Sequence, residues 1–258
     1  MTQTQDLFFR NRMLYGEAGF ARLQKSFVAV VGLGGVGSSA AEAMVRAGVG
    51  QLRIIDCDRV TASDVNRQLI ALATNLNVPK VEAARDRYLQ INHEVRIDAR
   101  MAFFHHDTEA ELITTDLDYV IDAIDSLNPK IELIRCCQDK GIPIISSMGA
   151  SGRTDPCRIG IAALEDTTMC PLARAVRRHL HRRQIGTDIP VVYSMETVRK
   201  GRTVTSTLTP VQTGTYQRGR SRQTLPSHPT LPAIFGLMAA NHVILALTKY
   251  SADGETCC

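Results

Sequence analysis

The 258-residue sequence lacks the segments that would direct a protein into or across a membrane. Residues 3–6 read Gln-Thr-Gln-Asp, which is polar where a secretory signal needs an apolar stretch. The longest apolar run, 234–247, is interrupted by Asn241 and His242 and is too short to span a bilayer. We therefore expect a cytoplasmic protein with no membrane partner.

Cysteines with the spacing of a zinc site are missing as well. The chain has seven cysteines, an odd number, and no two of them have the C-x-x-C spacing of a four-thiolate zinc site. We expect neither a disulfide framework nor such a zinc site. The net charge of +4 is small, but basic residues concentrate in two runs, 174–183 and 218–222. Runs of this kind either contact phosphate backbones or form an ordinary solvated surface.

Predicted strands and helices alternate over residues 1–150. Five buried strands are predicted, at 27–31, 52–56, 95–99, 118–122 and 142–146. Helices are predicted between them, at 36–47, 79–91 and 129–140. This alternation predicts an α/β fold with a doubly wound, Rossmann-like, mostly parallel sheet.

The pattern changes after residue 150. Strands are predicted at 158–162 and 189–193, on either side of the first basic run, and an apolar helix at about 232–249. Residues 198–231 are rich in Thr, Arg and Gly, which predicts a hairpin and a mobile loop. We expect residues 1–150 to form the nucleotide-binding region, and residues 151–258 to form a smaller C-terminal α+β extension of the same domain on the substrate side.

A glycine-rich loop follows the first predicted strand and opens the next helix. Its glycines satisfy the pattern G-x-G-x-x-G and are Gly32, Gly34, Gly35 and Gly37. Glycines let the backbone approach phosphate oxygens, and the N-terminus of a helix adds N–H donors. Asp56 ends the second strand, where an acidic side chain can reach a ribose hydroxyl. The sequence therefore predicts a nucleotide site.

Charged residues further along the chain favour ATP over NAD, the usual ligand of this pattern. Arg67 and Lys80 would neutralise a triphosphate. Asp122 and Asp125 lie at the C-terminal end of the fourth strand, where ligands bind, and a carboxylate there can hold Mg²⁺ between phosphates. Each residue alone has an ordinary structural alternative, such as a helix cap or a surface ion pair. Their combination indicates ATP with Mg²⁺.

The same segments carry a resemblance to a known family. They are the glycine loop 32–37, Asp-Cys-Asp at 56–58, Asn-Arg-Gln at 66–68, Pro-Lys at 79–80 and Asp-Ala-Ile-Asp at 122–125. As a set they resemble the ubiquitin-activating-enzyme-like adenylyltransferases, which include the activators of sulfur carriers for thiamine and molybdopterin synthesis. The resemblance implies attack of a carboxylate on the α-phosphate of ATP, which gives an acyl-adenylate and pyrophosphate.

The resemblance also implies roles for individual residues. It places the ribose on Asp56, the phosphates on Arg67 and Lys80, and the magnesium ion on Asp125. Further nucleotide contacts are expected from Asp58, Asn66, Gln68 and Asp122.

The family also implies a homodimer in which an N-terminal arginine reaches the ATP of the partner subunit. Arg10 stands at that position and Arg12 is a second candidate, whereas Leu7 replaces the arginine that usually precedes them. Asp64 stands where the family usually has Asn, so an amide contact to the nucleotide is not expected there.

Within that family, nearly the whole chain resembles the branch that dehydrates threonylcarbamoyladenosine in tRNA. The resemblance rests on residues 14–17, 46–50, 66–68, 119–125, 145–150, 190–196 and 232–240. The missing C-x-x-C pairs agree, because the sulfur-carrier activators typically have them. The implied reaction adenylates the threonyl carboxylate of the modified adenosine, and the neighbouring carbamoyl group then closes a ring and expels AMP. The basic run 174–183 would contact the anticodon stem-loop.

Three other functions stay open. The chain could activate the C-terminal carboxylate of a ubiquitin-like sulfur carrier, reduce or oxidise a substrate with NAD, or bind nucleotide or tRNA without catalysis. A sulfur-transfer protein is a further candidate partner. Asp166 and Cys170 depart from the residues that many members of this branch have before Pro171. Cys170 is not favoured as a nucleophile, because no base partner accompanies it.

Overall fold

Seven strands form one sheet in the computed structural model, which describes residues 6–197 and 226–250. The strands are β1 (Phe27–Val31), β2 (Gln51–Ile55), β3 (Arg96–Arg100), β4 (Tyr119–Asp122), β5 (Ile144–Ser147), β6 (Ile159–Ala163) and β7 (Pro190–Ser194). Their spatial order is β3-β2-β1-β4-β5-β7-β6, and every neighbouring pair is parallel except β7 and β6. The predicted doubly wound, mostly parallel α/β sheet is confirmed.

Helices cover both faces of this sheet. They are α1 (Phe9–Lys25), α2 (Gly35–Ala47), α3 (Lys80–Ile91), α4 (Glu109–Leu112), α5 (Leu127–Asp139), α6 (Pro171–Arg182) and α7 (Leu231–Thr248). One apolar cluster joins the sheet to α2, α3 and α7, and a second joins it to α5 and α6. Because the strand order reverses between β1 and β4, a crevice for ligands is expected at the carboxyl ends of these two strands.

The residues after 150 complete the same sheet. They supply β6 and β7 at one edge and α7 on one face. Helix α7 lies so close to α2 that a Cβ built on Gly236 would be 2.2 Å from the carbonyl oxygen of Val36. With 18 residues and a mean hydropathy of 1.7, α7 has the length and composition of a membrane-spanning helix, but half of it is buried inside the protein. We interpret α7 as a core helix.

Helix α1 is the main element that the sequence patterns did not predict. Gly16 interrupts its helical backbone with φ +68° and ψ 165°. Asn11 on this helix donates hydrogen bonds from Nδ2 to the carbonyl oxygens of Arg46 and Ala47, the last residues of α2. These bonds tie α1 to the end of α2. The predicted hairpin and mobile loop at 198–231 and the second basic run at 218–222 fall largely or wholly on residues outside the described part of the chain.

Candidate active site

The glycine loop joins the end of β1 to the start of α2, and two of its glycines are required by packing. Gly32 has φ +92°, and a Cβ built there would lie 2.8 Å from the carbonyl oxygen of Ala123. A Cβ on Gly37 would lie 1.7 Å from the carbonyl oxygen of Gly32. A Cβ on Gly34, by contrast, has no described atom within 4 Å. The loop is therefore closed towards the sheet and open at Gly34, where an anion can approach the start of α2.

Asp56 lies directly beside this loop. Its Oδ2 accepts a hydrogen bond of 2.6 Å from the backbone N–H of Leu33, and its Oδ1 accepts one of 2.8 Å from the N–H of Asp58. Burial raises the pKa of Asp56, and this effect outweighs the opposing attraction of the Lys80 ammonium. The predicted ribose-binding acid is thus held against the loop by two backbone donors.

Two cations and two carboxylates form a charged cluster next to the loop. The Lys80 side chain is 7% exposed, and its Nζ lies 3.7 Å from Asp58 Oδ2 and 3.8 Å from Asp64 Oδ2. The Arg67 guanidinium lies 3.6 Å from Asp64 Oδ1. A Cβ built on Gly35 would be 3.4 Å from Cγ of Arg67. The structure therefore brings together Asp58, Arg67 and Lys80, which are far apart in the sequence pattern that predicted them.

Asp64 is the shared partner of these cations. It belongs to the short 3-10 turn Ala62–Asp64 and is buried. Its Oδ1 accepts a hydrogen bond of 2.6 Å from Nε2 of Gln68, and its Oδ2 accepts one of 2.9 Å from the N–H of Thr61. The buried Gln68 therefore supports Asp64. Sequence reasoning noted Asp64 only as a departure from the family pattern.

The two aspartates at the carboxyl end of β4 occupy different surroundings. Asp122 is 0% exposed and pairs with Nζ of Lys130 at 2.6 Å. It also accepts hydrogen bonds from Oγ of Ser146 and from the N–H of Ile124. Its carboxylate is therefore buried and already paired, and it presents no exposed oxygen for the nucleotide contact that the sequence predicted for Asp122. No sequence pattern pointed to its partner Lys130.

Asp125 lies on the surface at the same end of β4. It is exposed, and its Oδ1 accepts a hydrogen bond of 3.1 Å from Oγ of Ser126. The backbone of Ala123, two residues earlier, contacts the glycine loop at Gly32. Asp125 is thus the carboxylate of this segment that solvent and ligands can reach. Asn66 is also exposed, and its Oδ1 accepts a hydrogen bond of 3.0 Å from Arg67.

The two N-terminal arginines differ in the same way. Arg12 forms ion pairs with Asp6 at 2.9 Å and Glu17 at 2.8 Å, and its guanidinium lies 4.2 Å from the centre of the Phe20 ring. Arg10 is exposed and forms no ion pair or hydrogen bond within the described residues. Of the two candidates for a contact with a partner subunit, Arg10 is the one whose guanidinium has no partner among the described residues.

An α/β sheet with an open glycine loop at its strand switch point, and with Arg67 and Lys80 beside that loop, defines a nucleotide-binding protein. Residues 8–256 match the ThiF family model, and the chain belongs to this family. Its relatives include a tRNA threonylcarbamoyladenosine dehydratase of Bacillus subtilis, 37% identical over 251 residues that cover 94% of each chain.

The chain is also similar to a dehydratase of known structure and to an adenylyltransferase. The structure of the Escherichia coli tRNA N6-threonylcarbamoyladenosine dehydratase in complex with ATP has a TM-score of 0.82 and 30% identity, and the match covers 96% of each chain. A molybdopterin-synthase adenylyltransferase of Haemophilus influenzae is 36% identical over 128 residues, which cover 50% of this chain and 52% of the other. The similarity to these two dehydratases thus extends over nearly the whole chain, whereas that to this adenylyltransferase covers half of it.

Proposed function

We propose that the chain is an ATP-using enzyme that dehydrates threonylcarbamoyladenosine in tRNA. The threonyl carboxylate of the modified adenosine attacks the α-phosphate of ATP and displaces pyrophosphate. The carbamoyl group then attacks the resulting acyl-adenylate, closes a ring and displaces AMP, so that one water is lost overall. The observation that carries this proposal is the cluster of Arg67 and Lys80 beside the glycine loop, in a chain similar to the dehydratases over nearly its full length.

The residues of the site have complementary tasks in the first step. The loop around Gly34 and the N-terminus of α2 offer backbone N–H groups to the phosphates. Arg67 and Lys80 stabilise the negative charge that develops as pyrophosphate leaves. Asp56 lies where it would accept a hydrogen bond from a ribose hydroxyl. ATP is needed because a carboxylate at neutral pH is a poor acyl donor.

Asp125 fits a magnesium ion better than the cluster of Asp56, Cys57 and Asp58 does. Mg²⁺ prefers oxygen ligands and is usually held by one or two carboxylates together with substrate phosphates. Asp56, Cys57 and Asp58 have ligand atoms within 4.8 Å of one another, but a thiol is a soft ligand and Lys80 already lies next to Asp58. Asp125 would hold the ion, which supplies further neutralisation of the phosphates.

A second copy of the chain would complete the site. Arg10 is exposed near the start of α1, and the apolar side chains around it are exposed as well: Leu7 by 63%, Phe9 by 60% and Met13 by 72%. Apolar side chains exposed this close together mark an interaction surface. We propose a homodimer in which Arg10 reaches the ATP held by the partner subunit.

Replacement of Asp64 by asparagine is expected to lower the KM for ATP about fivefold. The change removes a negative charge within 4 Å of both Lys80 and Arg67, so that the site becomes more positive towards the phosphates. A gain of about 1 kcal/mol in the binding of ATP corresponds to about a fivefold lower KM. The KM is measured by pyrophosphate release. Asp86→Asn is the matched control, because Asp86 is an exposed acid that pairs with Arg85 on α3. An unchanged or higher KM for Asp64→Asn would contradict the role given to Asp64.

A comparison of two substrates tests the proposal against its main alternative. The partial similarity to a sulfur-carrier activator favours, as a second candidate, activation of a ubiquitin-like protein that ends in Gly-Gly. We expect AMP and pyrophosphate to be released from ATP when tRNA that contains threonylcarbamoyladenosine is added, and not when such a carrier protein is added. Release with the carrier alone would replace the proposed function by the second one.

A further inference from the structure

The structure divides the first basic run into two groups. Arg177 donates hydrogen bonds of 3.0 Å from NH1 to the carbonyl oxygens of Leu164 and Thr167, and thereby holds the turn before α6. Arg183 pairs with Glu132 on α5. These two arginines stabilise the fold. Their guanidinium groups already contact other groups of the protein, unlike those of the second group.

The other group forms a stripe along α6. Arg174, Arg178 and Arg182 are spaced by four residues and all three are exposed. Residues four apart lie on the same side of a helix, about 6 Å from each other along its axis. The buried residues of α6 are Ala173, Val176 and Leu180, which lie on the opposite side. The stripe therefore points directly away from the core.

Nothing in α6 neutralises this arginine stripe. The helix Pro171–Arg182 contains no Asp or Glu, and the three arginines form no ion pair with any described residue. Two arginines on other helices have acidic partners instead: Arg46 pairs with Glu42 on α2, and Arg135 pairs with Asp139 on α5. Three unpaired arginines along one side of a helix give a locally positive surface that attracts an anionic partner.

The arginine stripe begins near the candidate active site. A Cβ built on Gly149, two residues after β5, would lie 3.9 Å from Cβ of Leu172, in the first turn of α6. Strand β5 is parallel to β4, so its carboxyl end lies at the same edge of the sheet as Asp125. A polyanion bound along the stripe would thus extend from the sheet edge that carries the site.

We propose that Arg174, Arg178 and Arg182 bind successive backbone phosphates of an RNA whose modified nucleotide enters the site. The inference rests on the proposed function and identifies the surface that holds its substrate. RNA fits because it presents regularly spaced phosphates, and the planar guanidinium of arginine binds phosphate oxygens through two parallel hydrogen bonds. Such contacts add affinity without reading the sequence of the RNA.

The test removes the arginine stripe and compares the result with an equal loss of charge elsewhere. The first variant combines Arg174→Gln, Arg178→Gln and Arg182→Gln. The control combines Lys25→Gln, Arg85→Gln and Arg96→Gln, three exposed cations outside α6. Binding of tRNA that contains threonylcarbamoyladenosine is measured by fluorescence anisotropy over a range of salt concentrations. Pyrophosphate release is measured over a range of tRNA concentrations.

We expect the stripe variant to bind tRNA about 10- to 100-fold more weakly than the wild type. The slope of log affinity against log salt concentration is expected to decrease by the amount that corresponds to about two to three phosphate contacts. The KM of this variant for tRNA rises, while kcat at saturating tRNA stays within about threefold, because the residues around ATP are unchanged. The control is expected to stay within about threefold in affinity. Equal losses in both variants, or no loss in the stripe variant, would overturn the inference. If the wild type itself neither binds this tRNA nor releases pyrophosphate with it, the proposed function has failed rather than the stripe.

Discussion

Replacement of Arg67 by alanine is expected to slow adenylate formation by about 10²- to 10³-fold, the loss typical when one preorganised donor to a developing negative charge is removed. Arg67 lies against the glycine loop, and its guanidinium is partly exposed, so that it can reach a phosphate. Its hydrogen bond to the carbonyl oxygen of Ser63 is local, and its loss leaves the core intact. Pyrophosphate release that depends on tRNA measures the rate.

The matched control for this change is Arg85→Ala. Arg85 is an exposed arginine on α3 that pairs only with the neighbouring Asp86 among the described residues. We expect this control to retain nearly full activity, and both variants to melt within a few degrees of the wild type. If Arg67→Ala kept its activity within threefold while folded, the assignment of the phosphates to this cluster would be wrong.

The second large effect is expected from Lys130→Met, and it is an effect on stability. Lys130 and Asp122 are both 0% exposed and form an ion pair of 2.6 Å, supported by a hydrogen bond from Lys130 to the carbonyl oxygen of Ser147. Removal of the lysine leaves a buried carboxylate without its partner, which costs about 3 to 5 kcal/mol. Urea unfolding monitored by circular dichroism measures the loss.

A double variant tests whether the loss of stability comes from the buried carboxylate left without its partner. In Asp122→Asn combined with Lys130→Met, both charges are absent, and we expect most of the lost stability to return. If the single variant does not fold, a folded double variant still shows that the unpaired buried carboxylate caused the loss. A loss below about 1 kcal/mol in Lys130→Met, or a double variant no more stable than the single one, would contradict the buried pair.

Most of the sheet was predictable from the sequence. The predicted strand 27–31 has the observed bounds, and the other predicted strands lie within about two residues of the observed ones. Short apolar runs rich in Val and Ile specify these strands because both faces of a parallel sheet are buried. Helix α1 could not be predicted in this way, since Gly16 breaks its backbone and apolar residues such as Phe9 and Met13 face solvent in one chain.

The residue types of the site were also predictable, but not their surroundings. Asp122 and Asp125 both lie at the carboxyl end of β4, and only the fold shows that Asp122 meets Lys130 in the core. In the same way, the sequence does not tell Arg177 from its neighbour Arg178, because the partners of Arg177 are backbone carbonyls of the preceding turn. Short motifs identify the chemistry, whereas burial and distant partners decide which members of a motif can touch a ligand.

Nucleoside mass spectrometry tests the central claim most directly. Transfer RNA that contains threonylcarbamoyladenosine is incubated with the protein, ATP and Mg²⁺, and then digested to nucleosides. We expect the modified nucleoside to become lighter by the mass of one water, and we expect this change to require ATP and to be strongly reduced with Arg67→Ala. An unchanged nucleoside, with the folded protein still binding ATP, would contradict the proposed dehydration.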